Sequence, residues 1–167
     1  MKKLSICLTV ILIFSILSTL SVFGAHDVKV SGYSGFYNKE VKDVKIYVNG
    51  KEYKGKYCFH NDRTMVDVWD FCQNYLLGEK NDDHNWFAVW TDISIHDRMI
   101  VQRESDGRKI VFFKGANKMQ DPNDEIMDID CTSFVYNQTN YVPLRYLCES
   151  FGYSVNWDGK TRTITVE

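Results

Sequence analysis

The residues of this sequence that could ligate a metal ion are scattered along the chain. A transition-metal site needs imidazoles that converge. The four histidines fall instead on unlike segments of the chain: His26, His60, His84 and His96. The acidic segment 79–84 could offer oxygen ligands, but it lacks the regular spacing and the turn glycine of a calcium loop. We therefore predict no metal site and no bound cofactor.

Catalytic motifs are also missing from the sequence. It contains no Gly-x-Ser-x-Gly nucleophile elbow, no His-Glu-x-x-His zinc motif and no phosphate-binding loop. The 22 acidic residues are too many for a glycosidase pair to be excluded by counting, but nothing in their spacing brings two of them together. We predict that the protein is not an enzyme and assign no catalytic residue.

Aromatic side chains are the best candidates for contact with a ligand. Trp86, Phe87 and Trp90 follow the polar segment 78–85, an enlarged loop of the kind on which binding sites often form. Alternate residues of a strand must face the core, so about half of these side chains are expected to be structural. We predict these three residues as the candidate ligand-binding surface.

The N-terminus indicates export. Two lysines precede an uncharged apolar stretch, 4–22, which ends at the small residues Gly24 and Ala25. This order is typical of a secretory signal peptide, which we predict over residues 1–24. An uncleaved anchor helix is the alternative, because roughly 17–25 apolar residues span a bilayer. Cleavage would leave a protein that is secreted, extracellular or associated with the cell wall, with no stable membrane anchor.

The charge of the chain narrows the range of partners. Cleavage after Gly24 would leave 143 residues with a net charge of −4 and no basic block, so we predict no nucleic-acid partner.

Four cysteines would remain after cleavage: Cys58, Cys72, Cys131 and Cys148. They could form disulfides in three pairings or stay as buried free thiols, and the sequence leaves both alternatives open.

Residues 25–43 form a predicted leader and residues 44–167 one predicted domain. Apolar residues alternate over 44–48, as in a strand, and the Asn-Gly pair that follows predicts a hairpin turn. The segment 65–77 has apolar residues at spacings of three and four, so we predict a helix that Thr64 or Asp62 caps. Three further strands are predicted: 86–91, 98–102 and 109–113.

The second half of the domain follows the same order of elements. Pro143 is predicted in the first turn of a helix, and Gly152 is predicted to end that helix in a left-handed conformation. The apolar face of this helix is Leu144, Leu147, Cys148 and Phe151. Its flanking strands are predicted over 131–136, 153–157 and 163–166, with turns at 137–140 and at the Asp-Gly pair 158–159.

Residues that lie 76 positions apart match in kind: Val66 with Val142, Val68 with Leu144, Phe71 with Leu147, and Cys72 with Cys148. We interpret this match as an internal duplication of a β-helix-β unit, in which two copies bury their faces together. The predicted fold class is α+β, a twisted antiparallel β-sheet packed around two short helices.

The segments YVPLRYLCESFG (141–152) and VNWDGKTRTITV (155–166) resemble the copper amine oxidase N-terminal-like domain, or stalk domain, of secreted bacterial proteins. The resemblance covers residues 44–167 and departs from the family pattern in the first half, where Asp-Val-Trp at 67–69 replaces Pro-Leu-Arg. The family-motif residues are Pro143, Arg145, Glu149, Gly152, Trp157, Asp158 and Arg162. The resemblance implies a surface accessory domain that carries neither copper nor a quinone cofactor.

We predict mainly structural roles for these motif residues. Arg145 and Glu149 lie four positions apart on the predicted helix, where an ion pair stabilises the helix by about 0.2–0.5 kcal/mol. Trp157 could stack on a sugar, but a Trp at this place more often packs over a helix, so we predict that it belongs to the core.

Three hypotheses for function follow. The first is a non-catalytic binding module for cell-envelope material, with a cell-wall polysaccharide or a surface protein as partner. The second is a structural spacer, and the third is a small hydrolase or inhibitor. An exposed patch of Trp86, Phe87 and Trp90 favours the first, a uniformly polar surface the second, and a deep cleft with two close carboxylates the third.

Overall fold

The computed structural model describes residues 44–76, 86–92 and 97–167 of the 167-residue chain. About half of the described residues lie in strands, which form three curled, mainly antiparallel sheets with two short helices. The predicted signal peptide (1–24), the predicted leader (25–43) and the acidic segment (79–84) lie outside the described residues.

Runs of strands are interrupted by two helices along the described chain. The first half contains β1 (Lys45–Val48), β2 (Lys51–Glu52), β3 (Tyr57–His60), β4 (Arg63–Asp67), α1 (Val68–Phe71), β5 (Phe87–Thr91) and β6 (Arg98–Arg103). The second half contains β7 (Lys109–Phe113), β8 (Lys118–Gln120), β9 (Ile126–Asp128), β10 (Phe134–Tyr136), β11 (Thr139–Pro143), α2 (Leu144–Ser150), β12 (Val155–Asp158) and β13 (Thr163–Val166). A π-helical turn, Cys72–Leu76, continues α1.

The central sheet consists of two hairpins that lie side by side, in the strand order β10-β11-β4-β3. Each hairpin turns through two residues with positive φ, the backbone of a type I′ turn: Asn61 and Asp62 in one, Asn137 and Gln138 in the other. Val66 of β4 pairs with Val142 of β11, and each strand runs directly into its helix. The pairing therefore brings the starts of α1 and α2 close together.

The two hairpins lie 76 residues apart, as the sequence match predicts, but they do not establish that the two halves arose by duplication. Val66 and Val142, which match in sequence, are paired across the two strands. The strands that follow the two helices belong to different sheets, β5 to one and β12 to another. The internal duplication is not confirmed by this arrangement and stays a hypothesis.

The other two sheets flank the helices. One has the order β12-β13-β1-β2, in which β1 and β13 run parallel and bring the first and last strands together. The other is the antiparallel meander β5-β6-β7-β8-β9. Buried side chains from all three sheets and both helices form the main core, which includes Ile46, Phe71, Phe112, Val142 and Leu147.

The first helix begins later than predicted. Residues 65–67 belong to β4, since they pair with β11, and the helix starts at Val68. Asp67 caps it: its Oδ1 accepts hydrogen bonds from the backbone N–H groups of Trp69 at 3.2 Å and Asp70 at 3.4 Å. The predicted caps Thr64 and Asp62 are wrong because strand pairing outweighs the helical spacing of the sequence.

The ends of α2 show one correction and one confirmation. Pro143 is the N-cap residue of α2, with φ −65° and ψ 120°, and therefore lies just outside the helix and not in its first turn. Gly152 has φ +87°, as predicted. Its N–H donates to Glu149 and that of Tyr153 donates to Cys148, at 3.0 and 3.1 Å, which forms a Schellman motif.

All four cysteines of the described part of the chain are buried free thiols. Cys58 and Cys131 belong to a small second core with Met65 and Tyr141, and the Sγ of Cys131 lies 3.4 Å from the Sδ of Met65. Burial raises the pKa of Cys58 and of Cys131 to about 12. The structure thus favours the free-thiol alternative.

We expect Leu147→Asp to unfold the domain. Leu147 is fully buried in the shared core, and a charge buried without a partner lowers the free energy of unfolding by about 3–5 kcal/mol. The matched control is Asn156→Asp, which adds the same charge at an exposed position of β12. Chemical denaturation would measure both variants, and equal stability would show that the core is wrongly placed.

Stability should fall as the solution becomes alkaline. An exposed thiol ionises near pH 8.5, whereas burial raises the pKa of Cys58 and Cys131 to about 12. The stabilising effect is complete below about pH 8.5 and is lost as the pH rises towards 12, because the unfolded chain releases protons that the folded chain retains. The free energy of unfolding, measured across this range, should fall less steeply in the Cys58→Ala/Cys131→Ala variant. Equal slopes would contradict the presence of free buried thiols.

Candidate functional site

A groove of about 520 Å³ is the candidate binding site of the described part of the chain. The β3–β4 hairpin, the first turn of α2, β12 and β13 line it, together with Asp130. Both apolar and charged side chains line the groove. Its volume lies within the roughly 300–1,000 Å³ of small-molecule sites.

Trp157 gives the groove an aromatic surface. Strand alternation places Trp157 on the same side of β12 as the buried Val155, and Trp157 pairs with Ile164 of β13. Trp157 nevertheless lines the groove, and 49% of its surface is exposed. The prediction that Trp157 belongs to the core is wrong, because its side chain lines the open groove together with the first turn of α2 and stays about half exposed.

A hydrogen-bonded cluster of Arg63, Asp130 and Tyr146 forms the polar part of the groove. Asp130 Oδ2 accepts a hydrogen bond from Arg63 Nε at 2.9 Å and a second one from Arg63 Nη2. The Tyr146 hydroxyl donates to Asp130 Oδ1 at 3.3 Å. These contacts, chiefly the hydrogen bond from Arg63, hold the pKa of Asp130 below its usual value, so the carboxylate is charged at neutral pH. The cluster therefore presents both donors and acceptors in fixed positions.

Arg145 joins the groove to the helix behind it. The predicted contact with Glu149 is present, at 2.9 Å from Arg145 Nη1 to Glu149 Oε1. The same Nη1 donates to the backbone carbonyl of Val155 at 2.9 Å and so ties α2 to β12. Both charged side chains are about half exposed, and surface ion pairs of this kind contribute about 0–1 kcal/mol. The larger effect of Arg145 is to fix the position of β12, and hence of Trp157.

Asp158 and Arg162, two further motif residues, shape the turn after Trp157. Asp158 accepts hydrogen bonds from the backbone N–H of Lys160 and the hydroxyl of Thr161, both at 2.8 Å. The Thr161 contact is the main reason that the pKa of Asp158 lies below its usual value. Arg162 has φ +54°, a left-handed conformation, and its carbonyl accepts from the N–H of Lys45 at 3.1 Å. These two residues build the β12–β13 hairpin that carries the tryptophan.

The predicted aromatic surface is divided by the structure. Phe87 is only 1% exposed and packs edge-on against Phe151, with ring centroids 4.9 Å apart, so it cannot contact a ligand. Trp86 and Trp90 are 45% and 41% exposed, on the opposite side of β5 from Phe87. Neither lines the groove. The set Trp86, Phe87 and Trp90 is therefore not one surface.

The described residues contain no cluster of metal ligands. Within 44–76, 86–92 and 97–167, no three histidine, cysteine or acidic side chains converge as a metal site would require. In the same ranges, no helix is long and apolar enough to cross a membrane.

Sequence reasoning missed the polar cluster of the groove. Arg63 and Asp130 are 67 residues apart, and Asp130 and Tyr146 are 16 residues apart. No spacing rule connects them, because the three residues meet only through the packing of the β3–β4 hairpin against the start of α2. The motif residues Pro143, Arg145 and Trp157, in contrast, were visible in the sequence.

Comparisons with known proteins give one match. The family model of the copper amine oxidase N-terminal domain matches residues 47–166. No curated protein and no solved structure matches the chain. In copper amine oxidases this N-terminal domain is a non-catalytic module. The match covers most of the sequence, and the chain belongs to the copper amine oxidase N-terminal domain family.

Proposed function

We propose that this protein is a non-catalytic binding module, secreted or at the cell surface, that attaches to cell-envelope material through its groove. The observation that carries the proposal is the exposed Trp157, which lines a groove of about 520 Å³ beside fixed hydrogen-bonding groups. A half-exposed tryptophan in a concave site is typical of a contact surface, because its ring is costly to leave in water and its N–H can bind a polar group.

Export is the second part of the proposal. It rests on the signal-peptide pattern of residues 1–24. A protein exported in this way meets wall glycan and surface proteins first, and these are the proposed partners. The non-catalytic character rests on the family, whose domain serves copper amine oxidases without taking part in their chemistry.

The internal duplication belongs to the same proposal. We infer that both halves descend from one β-helix-β unit and that the second half kept the groove residues. Pro143 and Arg145 line the groove, while the first half has Asp67 and Trp69 at the matching positions. Loss of the motif in one half and its retention in the other would leave a single site.

Co-sedimentation of the purified protein with cell-wall sacculi tests the proposed function. We expect the parent protein to sediment with the sacculi, and Trp157→Ala to lose most of this binding because the groove loses its aromatic surface. The matched control, Trp86→Ala/Trp90→Ala, removes two exposed tryptophans outside the groove and should bind like the parent.

The other outcomes have distinct meanings. Loss of binding in the control but not in Trp157→Ala would move the site to β5. A folded parent protein that binds no sacculi would contradict attachment to the wall and favour the spacer hypothesis.

A further inference from the structure

We infer that the groove binds an uncharged sugar ring, stacked on Trp157 and oriented by hydrogen bonds to the cluster of Arg63, Asp130 and Tyr146. This inference rests on the proposed function and adds the chemical class of the ligand. Three properties of the groove lead to it: its open aromatic surface, its balanced charge and its fixed donors and acceptors.

The indole of Trp157 is accessible for stacking. It is 49% exposed and lines the groove. Gly159 lies in the turn that follows, where an added Cβ would be in ordinary contact with Trp157 Nε1, at 3.5 Å. Glycine therefore leaves the Nε1 edge of the ring without a side-chain neighbour at this position. The exposed face of this flat apolar ring can pack against the face of a pyranose that carries C–H groups.

The residues that line the groove carry equal numbers of positive and negative charges. Its lining contains two arginines and two aspartates: Asp62, Arg63, Asp130 and Arg145. Arg63 is paired with Asp130, and Arg145 is paired with Glu149. An anionic ligand would have to approach Asp62 and Asp130, and a cationic ligand would meet the two guanidinium groups. Such a site disfavours a strongly charged ligand of either sign, because one like-charge contact accompanies each opposite-charge contact.

The polar groups suit hydroxyl ligands. A sugar hydroxyl both donates and accepts, and the cluster offers the guanidinium of Arg63 as a donor within reach of the Asp130 carboxylate as an acceptor. Hydrogen bonds to charged groups are stronger than those between neutral groups. Asp130 is held by Arg63 and by the Tyr146 hydroxyl at 3.3 Å, so the acceptor is positioned before a ligand arrives.

Calorimetric titration of the purified protein with an uncharged oligosaccharide, chitotetraose, tests the inference. We expect saturable binding by the parent protein. In Trp157→Ala the affinity should fall by about tenfold or more, the factor expected when an aromatic stacking contact is lost. Asp130→Asn should also weaken binding, since it removes the charged acceptor. Trp90→Ala, which changes an exposed tryptophan outside the groove, is the matched control and should bind like the parent.

A second titration separates the ligand classes. Tetragalacturonate, an anionic oligosaccharide of the same length, should bind more weakly than chitotetraose. Affinity for chitotetraose should change little between low and high salt, because no net charge is neutralised. Tighter and salt-sensitive binding of tetragalacturonate would overturn the inference, as would unchanged chitotetraose binding in both Trp157→Ala and Asp130→Asn.

The sacculus experiment keeps the two proposals apart. Binding to sacculi that depends on Trp157, together with no binding of chitotetraose, would overturn the sugar inference and leave the attachment function in place. Binding of chitotetraose without binding to sacculi would support the inference and contradict attachment to the wall. Circular dichroism would verify that each variant is folded, and Asp130→Asn, which conserves shape at a half-exposed position, tests the site if Trp157→Ala does not fold.

Discussion

The antiparallel pairing of β4 with β11 is the contact on which the rest of the structure depends. Each strand runs without a break into a helix, so the pairing of Val66 with Val142 determines where both helices begin. The helices then supply Phe71 and Leu147 to the core, against which the other two sheets pack. A shift of this register by one residue would turn the apolar side chains of one of the two strands away from the core. The position of α2, and therefore of the groove, follows from one strand pair.

The groove shows how residues that hold the fold together can also shape a concave surface. Arg145 fixes β12 to α2 through the carbonyl of Val155, and Asp158 closes the turn that follows Trp157. Neither interaction requires a ligand. Both hold the indole at the edge of the sheet, where it remains open to solvent. The family motif can therefore be a requirement of the fold and still set the geometry of a site.

Local signals in the sequence predicted the local structure well. The Asn49-Gly50 turn and the left-handed Gly152 depend on the conformations open to single residues, and both were predicted. The start of α1 was not, because the helical spacing of 65–77 competes with strand pairing to a segment 76 residues away. The environment of Trp157 and the meeting of Arg63 with Asp130 also depend on distant contacts, which a single sequence does not contain. The sequence therefore identified the motif residues, for which it predicted structural roles, but neither their place in the groove nor the polar cluster.

The parallel pairing of β1 with β13 has a mechanical consequence. In the described part of the chain, β1 begins at Lys45, next to Thr163, and β13 ends at Val166, next to Val48. A tension applied to the two ends pulls these adjacent strands in opposite directions along their own axes. It loads their ladder of hydrogen bonds in shear, so that the bonds must break together and not one after another as in a zipper. A pull on these two strand ends therefore meets the whole ladder at once, whatever the groove contains.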